Sequence, residues 1–134
     1  MNRTLLLFVA LACLAAAGCS GKATPPGPCP ASFPNLPRDD ALVSDAGPDF
    51  EGKTGDVVTF NGTGSVATDG GSFTYSWGQV LGPCAPLDVT DPAHPKVRLP
   101  PVNAPSDTIV YRLFLVRDGK MSAGDDAEVL VHAS

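Results

Sequence analysis

Histidine is nearly absent from this chain: there are two in 134 residues, His94 and His132. A hydrolytic site needs a nucleophile, a base and an orienting acid brought together. His94 lies in the turn-like Pro92-Ala93-His94-Pro95 and His132 close to the last residue, so both read as exposed rather than catalytic. No Gly-x-Ser-x-Gly elbow supplies a nucleophile. Basic residues are also scarce, with nine Lys and Arg against fourteen Asp and Glu, and they do not cluster. A net charge of −5 disfavours nucleic acid and anionic lipid headgroups as electrostatic partners. The glycines from Gly64 to Gly71 are not followed by Lys-Ser/Thr, which excludes a phosphate-binding loop. No contiguous EF-hand spacing occurs. The apolar run Leu5 to Ala17 is shorter than the ~20 residues that cross a bilayer comfortably.

Glycine and proline are abundant instead, fourteen of each. Such a chain makes short strands and many turns rather than helices, so it reads as all-β. Its length suits one domain. The start has a different character: Arg3, an uncharged apolar run, then Ala15-Ala16-Ala17-Gly18-Cys19. Small residues leading into a cysteine resemble the end of a bacterial lipoprotein signal peptide. That resemblance implies residues 1–18 as a cleaved signal and Cys19 as the lipidated first residue of the mature chain. It also implies acyl chains of the palmitate kind in a lipid bilayer. Each buried methylene contributes ~0.8 kcal/mol and one chain anchors only marginally, so several chains are needed for a durable anchor. Ser20, where Asp would imply retention at the inner membrane, implies a lipid-anchored protein of the bacterial cell envelope sorted to the outer membrane.

Residues 19–40 form the next unit. Pro25, Pro26, Pro28, Pro30, Pro34 and Pro37 make an extended, semi-rigid stem. Cys29 lies within it, so its later half is expected to pack on the body. With Cys13 lost with the signal and Cys19 lipidated, Cys29 and Cys84 remain. In an oxidising compartment a disulfide is their simplest fate. A zinc pair or a reactive thiol is the alternative; there is no Cys-x-x-Cys and no adjacent His to favour either.

From residue 41 to 134 short runs alternate with turns. Candidate strands are Ala41–Ser44, Asp56–Phe60, Phe73–Trp77, Leu87–Val89, Lys96–Leu99, Thr108–Arg117 and Ala127–His132. Asp118-Gly119 reads as a hairpin turn, and Ala127, Val129 and Val131 as inward. About seven short strands over ~100 residues describe an immunoglobulin-like β-sandwich. Phe73, Tyr75 and Trp77 share one face, with Trp77 expected as the core aromatic. Phe33 and Phe50 are expected at the surface, too few for a sugar-stacking platform. Asn61-Gly62-Thr63 matches a glycosylation triplet but reads as a turn.

Asp45-Ala46-Gly47-Pro48-Asp49, then Gly55 to Ser65, then Thr68 to Gln79 resemble the polycystic kidney disease (PKD) domain, in its bacterial and receptor-for-egg-jelly-like variants. Trp77-x-Gln79-x-x-Gly82, Leu87 and a long strand ending Val116-Arg117-Asp118-Gly119 continue the pattern over nearly all of residues 41–133. Two positions depart from it. Trp77-Gly78-Gln79 replaces the Trp-Asp-Phe-Gly-Asp-Gly signature. Arg112 stands where an inward apolar residue is usual, which calls for a bulge in the long strand or a place at the edge of the core. The resemblance implies display outside the cell and a role in adhesion, spacing or contact. A non-enzymatic interaction module facing an unidentified envelope protein is the first expectation; the alternative is a carbohydrate- or cell-wall-binding accessory domain. No cofactor is expected. Some PKD-like domains bind calcium through loop carboxylates, which would make Asp49, Glu51, Asp69 and Asp118 the candidates. Turn chemistry is the competing explanation of these residues.

Overall fold

The computed structural model describes Gly27, Cys29 and residues 33–134. The expected signal segment 1–18, Cys19 and the first half of the expected stem lie outside the described residues. Nine strands follow in order: β1 Leu42–Val43, β2 Phe50–Lys53, β3 Val57–Thr59, β4 Val66–Ala67, β5 Thr74–Leu81, β6 Lys96–Arg98, β7 Ser106–Arg117, β8 Lys120–Met121 and β9 Asp125–His132. The described part is all-β, and it contains no helix long and apolar enough to cross a membrane.

The main sheet runs β2-β9-β7-β5, with β8 paired to the end of β7. Facing it across the core is the pair β3-β6, and β1-β4 forms a third, separate pair whose β1 contacts β7. The layers meet through the alternating inward residues of each strand. Val58 and Phe60 with Val97 and Leu99 form one wall; Ile109, Tyr111, Leu113 and Leu115 with Ala127, Val129 and Val131 form the other. These alternations follow from the two-residue side-chain period of a strand. The sequence reading of β3, β6, β7 and β9 therefore stands within a residue or two at their ends.

Four details differ from the sequence reading. Trp77 is not the core aromatic. Phe60 and Tyr111 are sealed from solvent, whereas Trp77 is half-buried because β5 is an edge strand. Phe60 instead forms the aromatic hub, with ring centroids 5.1 Å from Tyr111, 5.5 Å from Phe50 and 5.8 Å from Trp77. Phe50 and Phe33 are half-buried rather than exposed. Phe33 packs edge-on against Phe114 at 5.0 Å. Leu87–Val89 makes only a single bridge, Asp88 to Lys96. Arg112 requires neither a bulge in β7 nor a place at the edge of the core: it points outward, opposite Gly78 on one side and Asp126 on the other. Its guanidinium grips Asp126 at 2.6 and 2.9 Å. The irregularity lies in β5, between Gln79 and Leu81.

Three strands were not among those expected from the sequence: the two-residue β4, which pairs with β1, and β2 and β8. β2 is Phe-Glu-Gly-Lys, which has neither β-branched residues nor a clean alternation. It forms because β9 offers an open edge, to which it adds in parallel from Phe50↔Val129 to Lys53↔His132. β8 exists because Asp118 and Gly119 both take positive φ, 48° and 68°, the mirror-image turn that closes a tight hairpin.

Candidate functional site

Three surface regions bring polar or aromatic side chains together. The first is the open side of β5. Phe73, Tyr75 and Trp77 line its inner face and are each half-buried. Gly62 lies flat against two of them; a Cβ there would stand 3.1 Å from Tyr75 and 3.2 Å from Trp77. The Trp77 indole N–H donates to the Pro92 carbonyl at 2.9 Å. That carbonyl belongs to the loop that shapes a small pocket of about 250 Å³ lined by Asp88, Thr90, Asp91, His94 and Lys96. Within it Asp88 accepts from the Thr90 hydroxyl at 2.6 Å and Asp91 pairs with His94 at 3.1 Å. The Thr90 hydroxyl, then its backbone N–H, and Lys96 hold the Asp88 carboxyl below the usual carboxylate range.

The second region is where the stem meets the sheet. Cys29 is disulfide-bonded to Cys84, and the Cys84 N–H donates to the Gly27 carbonyl at 2.7 Å. Phe33 rests over Gly78, where any Cβ would strike its ring. Met121 exchanges backbone bonds with Pro37 (2.9 Å) and Asp39 (2.8 Å). The result is a hollow of about 450 Å³ walled by Phe33, Leu36, Arg38, Phe114 and Met121. Gln79 and Tyr111 secure the other end of this staple. The Gln79 amide donates to the carbonyls of Leu81, Gly82 and Pro83 at 3.0, 3.1 and 2.7 Å and accepts from Ala85 N–H at 2.9 Å. The Tyr111 hydroxyl donates to Ala85 carbonyl at 2.6 Å, and burial pushes its pKa up. Gln79 is thus the organiser of the Cys84 loop. The single Trp77-x-Gln79-x-x-Gly82 pattern contains it, but nothing in the sequence says which carbonyls it would meet.

The third region is an ionic clasp. Arg117 donates from Nε to Asp39 at 2.9 Å and, in a two-pronged contact, to Asp69 at 2.8 and 2.6 Å. The clasp ties the stem, the loop before β5 and the end of β7 together. Sequence reasoning missed it, because its members are 78 and 48 residues apart. The hydrogen bonds from Arg117, then from the Gly71 backbone, hold the Asp69 carboxyl at about 2 instead of the ordinary 3.8. Asp39 is lowered by the same guanidinium. A carboxyl lowered on folding adds stability above its unfolded pKa, and that stability disappears as the pH drops through the folded value. The melting temperature is therefore expected to fall as the pH is taken from about 4 toward 2. Arg117→Met should start lower and show a shallower fall, measured by thermal melts at matched ionic strength. A parallel pH dependence in both proteins would exclude the clasp as its source.

The carboxylates considered for calcium do not converge. Asp49 accepts the Glu128 N–H at 2.9 Å, Glu51 meets His132 at 2.5 Å, Asp69 belongs to the clasp, and Asp118 forms the β7–β8 turn. Among the described residues no group of three or more His, Cys, Asp or Glu is placed to hold a metal ion.

No protein-family model matches this chain, and no curated protein matches it. Solved structures do. The chain is similar to the solution structure of the PKD domain from KIAA 1837 protein, with 20% identity and a TM-score of 0.51 over 78% of this chain and 94% of that one. It also aligns with a nucleoside hydrolase-related protein from Saccharophagus degradans associated with carbohydrate metabolism, at 18% identity and TM-score 0.45, over 70% of this chain and 25% of that one. An endo-fucoidan hydrolase of glycoside hydrolase family 107 aligns at 17% identity and TM-score 0.43, over 72% of this chain and 14% of that one. The first likeness, with the strand order above, defines the fold: a PKD-like, immunoglobulin-like β-sandwich.

Proposed function

We propose that this chain is a lipid-anchored, extracytoplasmic interaction module of a bacterial cell envelope, one that works by contact and positioning rather than turnover. Acyl chains on Cys19 hold it to the bilayer, a Pro-rich stem spaces it, and the sandwich presents loops and sheet edges to an envelope protein. The observation that carries this reading is the Cys29–Cys84 disulfide. Disulfides of this structural kind persist in oxidising compartments, and this one fastens the stem to the body. Ser20 favours the outer membrane as the site of anchoring.

Cys19→Ser is expected to move the protein from the membrane fraction to the aqueous fraction and to abolish labelling by a radioactive or clickable fatty acid. Unchanged fractionation without acyl label in the wild type would overturn the anchor.

A second reading has its own observation. Phe73, Tyr75 and Trp77 keep part of their faces accessible, beside a pocket rich in carboxylate, hydroxyl and imidazole groups. Half-open aromatics near hydrogen-bonding side chains suit a carbohydrate or cell-wall polymer. Retention of the purified protein on peptidoglycan or polysaccharide, lost in Trp77→Ala at unchanged fold, would select this reading over a protein partner.

A further inference from the structure

The hollow between the stem and the outer face of the main sheet is built of aromatic walls and one cation. Phe33, Leu36 and Phe114 stand half-buried around it, and Met121 completes the wall. Phe33 and Phe114 meet edge-on at 5.0 Å. Two glycines make room for these rings: a Cβ at Gly78 would strike Phe33, and one at Gly124 would stand 3.0 Å from the Phe114 ring. The stem side of the hollow is tied at both ends, by the Cys29–Cys84 disulfide and by the backbone bonds of Pro37 and Asp39 to Met121. The walls are therefore in place before anything binds, and their ordering cost falls on folding.

The single charge in the lining is Arg38; the rest is apolar or neutral. Arg112 and Arg117 are fastened to aspartates, and Arg98 donates to the Gly55 carbonyl. Arg38 is exposed and forms no ion pair among the described residues. It also lines an adjoining hollow of about 270 Å³ that holds Asp40 and Asp125, yet neither comes within ion-pairing distance of it. Asp125 accepts the Ala46 N–H instead, at 2.7 Å. The hollow beside Asp88 carries two carboxylates of its own. In a chain of net charge −5, the stem hollow thus sets a free cation beside apolar walls that contain no acid.

From this combination we infer that the hollow binds a small organic acid, one carboxylate on a compact aryl body. The carboxylate takes the planar fork of the Arg38 guanidinium, whose parallel N–H donors match two oxygens. The body lies against Phe33, Phe114 and Met121, because ring edges and a polarizable thioether both suit an aryl group. A volume of about 450 Å³ lies within the range of small-ligand sites. A neutral ligand would leave the guanidinium without a partner, and a cationic one would be repelled by it. The site is separate from the aromatic face of β5 and does not depend on the anchoring or contact proposed above.

The test uses the full purified chain in phosphatidylcholine nanodiscs, where no detergent competes for the hollow. The chain has two methionines, Met1 and Met121, so isotope-labelled methionine methyls give a direct nuclear magnetic resonance signal from this wall. Phenylpropionate is expected to shift the Met121 methyl signal saturably. Its neutral isostere phenylpropanamide should bind about tenfold more weakly, and the cationic phenylpropylamine not at all. Arg38→Gln changes an exposed side chain and should remove the preference, so that acid and amide bind alike. An absent or non-saturating shift overturns the inference. So does a wild type that binds acid and amide equally, or a preference that survives in Arg38→Gln. A peptide ending in phenylalanine that binds more tightly than phenylpropionate overturns the free acid as the ligand.

Discussion

Phe60→Ala is expected to cost about 3–5 kcal/mol, the range for removing a large buried aromatic. Phe60 has no solvent exposure, and three aromatic rings surround it, from β2, β5 and β7. Those strands are widely separated along the chain, so no single neighbour can close the void. Trp77→Ala should cost clearly less. Part of the indole already faces water, and its one polar bond, to Pro92, is worth about 1 kcal/mol net. The contrast is the point of the prediction, because the larger residue carries the smaller effect. Trp77 is the only tryptophan and reports unfolding by its emission, so urea titration of the wild type and Phe60→Ala is direct. Trp77→Ala is followed by circular dichroism. Equal losses in the two variants would place the indole in the core after all.

Removing the Cys29–Cys84 bond is the second large effect. The bond closes a loop of 55 residues, for which the chain-entropy relation gives about 4 kcal/mol; measured values are often smaller. The double substitution Cys29→Ser, Cys84→Ser should lower the urea midpoint by an amount in this range. The consequence is also local. Between Gly27 and Phe33 the stem is held by the disulfide, the Cys84 N–H bond and the Phe33 ring. Without the first, hydrogen exchange at the Cys84 amide should speed up far more than at the β7–β9 ladder. Gln79 and Tyr111 keep their grip on the Gly82–Ala85 turn, so the body stays folded while the stem comes away. An unaltered midpoint together with unaltered exchange at Cys84 would show that the bond contributes nothing to holding the stem.

Much of the sandwich was legible before any coordinates. β7 and β9 announce themselves by alternation: Ile109, Tyr111, Leu113 and Leu115, then Ala127, Val129 and Val131, all point the same way. Asp118-Gly119 specifies its own turn through two residues that tolerate positive φ. β2 was illegible because nothing in Phe-Glu-Gly-Lys favours a strand; only the open edge of β9 makes it one. The surface regions were legible in part. The cysteine pair followed from counting thiols and compartment. The clasp did not, because an arginine at the end of β7 has no local reason to meet aspartates 78 and 48 residues away. The calcium candidates show the reverse case, in which carboxylates that look alike along the chain meet separate partners in space.

The covalent sequence by itself determined which side of each long strand is apolar and where the chain must turn. These are properties of a few neighbouring residues, set by the two-residue side-chain period and by backbone sterics. The tertiary structure alone decided which strand lies at the centre of the sheet and which at its rim. That choice buries Tyr111 in the interior of the sheet and leaves Trp77, on the rim strand, only partly buried. It depends on pairing between segments far apart in the chain, where the free energy is shared among all the strands and none carries the instruction alone.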